Sequence, residues 1–515
     1  VNALKHQVGT AMLWSVVARA GRFALALLSS VIVVRSLGAH DYGILSLVRN
    51  ILMFAVILAG GGMGQALLKF LPAFRVAGDS AEARKLVRRA AAVNLLLWAA
   101  LLTAAYLGRH AIERVFPFDG VGVVLAAAVA LALFEIFFIF ISRILEAGYD
   151  TRRLSVASLT SHVVYIAALV VVMPRGGGVL GVLGAAALGN AAACLMLVAR
   201  VRSALTPAAA DPAPRSTHDS DGEGVRLAAG RLLRFSAPLV AIGVLIQVVW
   251  RQSETLFLGY FRTAPEAGFF DLAYRLPQTA LEFVPTAVWP LVMAGFSEVY
   301  ARNASDLRIA IDRYYRMLFL LCTPICLTGI VLGGRIVPIL YGAEMEPAAI
   351  PAQVFFAVFT LSFFGTPLSM TLYVLEKTHV ILIVYVCLAV VNVGLDLLLI
   401  PTYGVAGAIV PVSIVTAASP VVYRIIAGYY VNNITIPMKF IGKMFLASGT
   451  VVLLVPFLGF VTGAWQLLAA LVAAGVLTVL GLKLFRVVGR KEVEMLGAVP
   501  IPLANRFLKF IATSQ

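Results

Sequence analysis

The chain has 515 residues, of which 61% are hydrophobic and only 13% charged, with a mean hydropathy of +0.96. Soluble domains carry about 25% charged residues, so this composition excludes an ordinary soluble enzyme and indicates a polytopic membrane protein. The net charge of +16 suits positive loops between spans better than nucleic-acid binding, which is not expected. The four cysteines, Cys194, Cys322, Cys326 and Cys387, all fall in apolar runs. They match neither a redox nor a zinc spacing, and are read as small buried apolar residues. The first apolar run is too long for a cleavable signal peptide and is interrupted by Arg19 and Arg22.

Taken in order, apolar runs long enough to cross a bilayer as helices recur through the chain. The first six are expected near 9–34, 43–70, 90–108, 121–142, 155–173 and 178–200. The first carries Ser15, Arg19, Arg22 and Ser29 on one helical face, and the second carries Arg49, Asn50 and the run Gly60-Gly61-Gly62-Met63-Gly64. Glu135 lies in the fourth span. His162 lies in the fifth, where a lone histidine is read as an interhelical hydrogen bonder.

Residues 203–232, rich in Ala, Pro, Asp and Ser, read as a flexible cytoplasmic linker. Eight further spans are expected near 235–260, 266–297, 317–334, 352–375, 378–400, 404–429, 440–461 and 464–486. The tail 487–515 reads as a cytoplasmic interfacial segment. The total is fourteen transmembrane helices. Arginine-rich loops, such as the one holding Arg84, Lys85, Arg88 and Arg89, put both termini in the cytoplasm.

The polar residues inside the spans are concentrated in 247–282. Gln247, Arg251 and Glu254 share one helical face, and Asp271, Arg275, Gln278 and Glu282 share another. A charge at the bilayer centre costs at least ~2.5 kcal/mol, so these stripes must face a wet cavity or each other.

The two halves also repeat. LGAHDYGILSLVRN (37–50) aligns with TAPEAGFFDLAYR (263–275), pairing Gly43 with Gly268 and Asn50 with Arg275; GVLGAA (181–186) aligns with GVAGAI (404–409) at nearly the same offset. An even number of helices separates the copies, which predicts a parallel repeat. The expected fold is therefore all-α: two six-helix bundles, 1–202 and 233–430, around a central cavity. Two extra helices (431–486) and the tail (487–515) follow.

Arg19, Arg22, Arg49, Arg251 and Arg275 would line that cavity as a cationic site for an anionic ligand, the planar guanidinium being suited to phosphoryl oxygens. Glu254, Asp271, Glu282 and Asp396 are candidates for coupling or for the cavity wall. Arg251 with Glu254, and Asp271 with Arg275, could instead pair within their own helices. No catalytic motif, nucleotide loop or metal cluster stands out, so no enzyme activity, cofactor or metal is expected.

RSLGAHDYGILSL (35–47), AGFFDLAYRL (267–276) and NVGLDLLLIPTYGVAGA (392–408) resemble the signature segments of the polysaccharide flippases. Those belong to the multidrug/oligosaccharidyl-lipid/polysaccharide (MOP) exporter superfamily. The resemblance implies movement of an undecaprenyl-pyrophosphate-linked oligosaccharide from the cytoplasmic to the periplasmic leaflet of a bacterial or archaeal membrane. It implies drive by a proton or sodium gradient or by membrane potential, and work beside a polysaccharide polymerase and glycosyltransferases. By helix, Arg19, Arg22, Arg49 and Arg275 match the cavity arginines of the related lipid II flippases, whose last two helices form a groove for the lipid tail. A typical polysaccharide flippase has an Asp near the middle of helix seven, where this chain reads Arg251-Gln252-Ser253-Glu254. A lipid II flippase and a cation-coupled multidrug antiporter are the alternatives. The antiporter is disfavoured by the arginine excess.

Overall fold

The computed structural model describes residues 2–76, 79–116, 118, 120–147, 151–204, 229–250, 253–303 and 306–489, with the side chains of most of them from Gly21 onward. The expected linker 203–232 and tail 487–515 fall largely outside the described residues. Among the described residues the chain is all helix. In order, the helices are α1 (Asn2–Gly60), α2 (Met63–Val76), α3 (Ser80–Leu107), α4 (Arg109–Val115), α5 (Val121–Ala147), α6 (Thr151–Val172), α7 (Gly178–Ala204) and α8 (Ala229–Trp250). They continue with α9 (Glu254–Phe261), α10 (Ala264–Arg302), α11 (Leu307–Tyr341), α12 (Ala349–Val374), α13 (Thr378–Tyr430), α14 (Met438–Ser448) and α15 (Ala464–Leu484).

Ten stretches among the described residues are long and apolar enough to cross a membrane. Two of them, Gly21–Pro72 and Thr378–Tyr430, are 52 and 53 residues long, about twice what one crossing needs. Each is folded on a glycine: Gly38 has φ 72° and Gly404 has φ 55°, a region closed to most L-residues. A single non-helical residue thus turns each long helix into two. This is a multi-pass membrane protein.

The span positions read from hydropathy lie close to these helices, with differences where local chemistry intervenes. The second span breaks between α1 and α2, where Gly61 and Gly62 both have positive φ. The ninth begins ten residues early, at Leu307 rather than 317, because Leu307, Ile311, Tyr314 and Tyr315 form a buried stripe on an otherwise charged segment. The thirteenth changes character at Ser448: α14 gives way to a 3-10 helix over Gly449–Phe460. The short α4 lies in what hydropathy presents only as a loop. In the second repeat match, the turn glycine that opens α7 is Gly178 (φ 53°), three residues before the Gly181 that the alignment pairs with Gly404.

The described chain divides into two compact units. One comprises Val1–Phe23, Gly38–Gly43 and Gln252–Gln515; the other comprises Ala24–Leu37 and Ile44–Arg251. The core of the second unit gathers Met63, Leu67 and Leu71 of α2, Leu86 of α3, Ile144 and Leu145 of α5, and Leu197 of α7. Large apolar side chains on the outer faces, such as Leu195, Leu398, Val421 and Trp465, are exposed, as lipid contact requires.

Lipid tails are as apolar as leucine, so close packing and small residues hold such helices together. At the α14–α15 crossing, a Cβ on Gly481 would lie 2.0 Å from the Ala447 carbonyl oxygen. The cysteines divide along the same lines. Cys322 and Cys326 are buried and Cys194 is intermediate. Cys387 is exposed, against the expectation that all four are buried. Residues 383, 386, 387 and 390 of α13 are all exposed, so Cys387 sits on an outward stripe of that helix.

Candidate functional site

The first unit places two polar clusters among apolar helices. The first forms where the turn after Gly38 meets the start of α10. Here the two glycines paired by the sequence repeat touch. A Cβ on Gly43 would sit 1.8 Å from the Ala264 carbonyl oxygen, and one on Gly268 would sit 3.0 Å from the Gly43 nitrogen. Neither position has room for a side chain, so the two backbones are in contact. That approach brings Tyr42 to Asp271: the phenol donates to Asp271 Oδ2 at 2.7 Å. Asp271 also accepts from Arg275 Nε at 2.7 Å through its other oxygen.

The Asp271 carboxylate is 1% exposed, whereas 38% of the Arg275 side chain remains accessible. The pairing of Asp271 with Arg275 at i,i+4 thus forms, and it leaves the arginine half open. One residue round the helix, Phe270 and Tyr274 pack edge-on against Phe355 of α12, with ring centroids 5.5 and 5.3 Å apart. Tyr274 also meets Phe359 at 4.8 Å. The apolar face of α10 is therefore fixed on α12.

The second cluster joins α9 to the first half of α13. Glu254, Asn392 and Asp396 are all buried, at 1%, 1% and 0% exposure. The Asn392 amide donates to Glu254 Oε1 at 2.8 Å and to Asp396 Oδ2 at 3.3 Å. One amide thus bridges two carboxylates. Among the described residues, Glu254 Oε2, Asn392 Oδ1 and Asp396 Oδ1 are buried with no hydrogen-bond partner. Three unsatisfied oxygens around two buried acids form a cation-attracting arrangement. Asn392 is absent from the sequence-derived candidates. Its i,i+4 spacing with Asp396 was the available signal.

In the second unit, Arg49 is partly buried and its Nη2 donates to the Tyr165 hydroxyl of α6 at 3.2 Å. Glu135 of α5 lies within electrostatic reach of the same guanidinium. Arg49 has no acid within its own span, but the tertiary structure supplies one from another helix. Tyr165 carries no sequence signal that marks it. His162 bonds the Ser158 carbonyl through Nδ1 at 2.8 Å, a bond within α6 itself rather than the interhelical one expected.

Arg22 is half-buried and belongs to the first unit. The Arg19 side chain and Arg251 lie outside the described residues. Glu282 is exposed and accepts from Gln278 Nε2 at 3.0 Å. No group of three or more His, Cys, Asp or Glu that could hold a metal is found among the described residues.

The helices superpose on those of solved transporters at low sequence identity, which shows a shared fold. Against the lipid II flippase MurJ in an inward closed conformation, the TM-score is 0.69 at 14% identity, over 92% of this chain and 98% of that one. Against a multidrug resistance MATE family transporter in an inward-facing conformation, it is 0.64 at 16% identity, over 79% and 93%. A MOP superfamily transporter from Pyrococcus furiosus, described as having a binding pocket of reverse polarity, gives 0.57 at 15% identity, over 82% and 95%.

A search of curated proteins by sequence returns no match. Residues 8–291 match the family model described as polysaccharide biosynthesis protein, and the chain belongs to that family. Its fold is the one these solved flippase and transporter structures share.

Proposed function

We propose that the protein flips an undecaprenyl-pyrophosphate-linked oligosaccharide from the cytoplasmic to the periplasmic leaflet, for polysaccharide export. Arg275 carries this reading. It is an intramembrane arginine whose Nε is fixed by a buried carboxylate while its side chain stays accessible. Guanidinium groups held in this way bind phosphoryl oxygens in two places and keep their charge at every physiological pH. Arg19 and Arg22, which belong to the same unit, extend the cationic site in this reading. The substrate is handed over by glycosyltransferases on one side and taken by a polymerase on the other. No covalent step is involved.

The cycle is driven through the second cluster. Glu254 and Asp396 share one amide and keep three oxygens without partners, so a proton or a monovalent cation between them is the counter-charge that burial demands. This Glu254 then does the work of the Asp usual in helix seven of polysaccharide flippases. Glu282, exposed and bonded within its own helix, lines the route rather than coupling. Family membership favours a polysaccharide precursor over lipid II.

The test is binding to the purified full-length protein in lipid nanodiscs, with undecaprenyl pyrophosphate and an organic cation as separate probes. The native chain is expected to bind the pyrophosphate lipid, and Arg22→Ala and Arg275→Ala to weaken that binding. Binding of the cation alone makes the protein an exporter of the multidrug type and overturns the proposal. Equal lipid binding by all three proteins removes these arginines from the site.

A further inference from the structure

Residues 38–43 are six residues of α1 that belong to the first unit, while the chain on either side of them belongs to the second. Three contacts seat them. The Ala39 N–H donates to Glu344 Oε2 at 3.2 Å, so a glutamate from the 343–348 turn caps the helix that starts after Gly38. Gly43 lies backbone to backbone against Ala264 and Gly268. Tyr42 donates to Asp271 at 2.7 Å.

The last of these contacts leads, through the buried Asp271, to the half-accessible Arg275. Asp271 has two oxygens; Tyr42 takes Oδ2 and Arg275 Nε takes Oδ1. The carboxylate is thereby locked, because a buried acid that loses one of two partners is left with an uncompensated lone pair. Arg275 in turn is held by the nitrogen nearest its stem, which leaves the two terminal nitrogens for a ligand.

We propose that Tyr42 is a positioning residue for the anionic headgroup. Through Asp271 it holds Arg275 in the orientation that grips a phosphoryl group, so that Arg275 binds tightly only while residues 38–43 are seated on α10. Withdrawal of Tyr42 leaves Asp271 one partner short, and Asp271 then draws the whole guanidinium toward itself. The phosphate loses its two-point contact. High affinity thus belongs to the seated state and low affinity to the parted one, which is the difference a carrier needs to take up its cargo in one conformation and release it in another. The inference rests on the flippase reading of Arg275.

The simpler role for Tyr42 is that of a buried phenol finding an acceptor, and a double-mutant cycle separates the two. Polyprenyl pyrophosphate binding is measured on the full-length protein in nanodiscs for the native chain, Tyr42→Phe, Arg275→Lys and the double variant. Melting temperature is recorded for each. Tyr42→Phe is expected to weaken binding about tenfold, the scale of one hydrogen bond to a charged group. That loss is expected to shrink to near nothing in the Arg275→Lys background, because lysine has no Nε for Asp271 to hold.

Asp271→Asn serves as a second route to the same end if Tyr42→Phe lowers the melting temperature. It is expected to weaken binding in the same direction, again only when Arg275 is present. Native binding with additive losses, or with no loss in Tyr42→Phe, overturns the positioning role and leaves the flippase reading intact. Failure of the native chain to bind any pyrophosphate lipid overturns the flippase reading and this inference with it.

Discussion

Two clusters in the same unit, both built from acids on membrane helices, are finished in opposite ways. Around Asp271 each carboxylate oxygen has a donor, one from Tyr42 and one from Arg275. Around Glu254 and Asp396 two acids share a single amide, and three oxygens have no partner. The first network is closed, so it fixes geometry and leaves an arginine presented. The second is open, with no ion pair to either acid among the described residues, and the proposal gives it a counter-ion from outside. In a medium where an unpaired charge is costly, the same residue types thus make a closed scaffold in one place and an open cluster, the proposed ion site, in the other.

That contrast makes opposite predictions for stability, and the largest concerns Arg275. Arg275→Ala strands the buried Asp271 carboxylate on one donor, and is expected to destabilise the protein by about 1–3 kcal/mol as well as to lose lipid binding. Glu254→Gln removes a charge from the open cluster and supplies a donor. It is expected to leave stability unchanged or raise it by about 1 kcal/mol, while gradient-driven transport in vesicles falls at least about tenfold. A fall in melting temperature for Glu254→Gln as large as that for Arg275→Ala would show the open cluster to be closed by contacts of its own, and the contrast would collapse.

Cations sharpen the comparison further. Sodium added at neutral pH is expected to raise the melting temperature of the native chain through binding to the folded state, and to leave Asp396→Asn unmoved. A response to acidification and none to sodium assigns the counter-charge to a proton. The smallest effect lies in the other unit, where the Tyr165 phenol supports Arg49 by a 3.2 Å bond. Tyr165→Phe is expected to lower stability by no more than about 1 kcal/mol, the scale of one ordinary hydrogen bond, read as a small fall in melting temperature.

Much of this was legible in the chain alone. Hydropathy located the spans, because burying backbone in lipid leaves a helix as the only open-ended solution. The charge stripes on α9 and α10 pointed to Glu254, Asp271 and Arg275, because helical periodicity is local. The repeat even paired Gly43 with Gly268, and these two glycines turn out to touch.

What sequence could not decide was which polar groups complete one another across helices. Tyr42 lies 229 residues from Asp271, and Asn392 lies 138 from Glu254. Tyr165 lies 116 from Arg49. No periodicity connects positions so far apart. Composition and spacing determined that this chain is a helical membrane protein with charges that must be answered inside it. The tertiary structure alone decided which charges are answered and which are left open, because that depends on backbones meeting closely enough for a hydrogen bond, as they do where two glycines let α1 lie against α10.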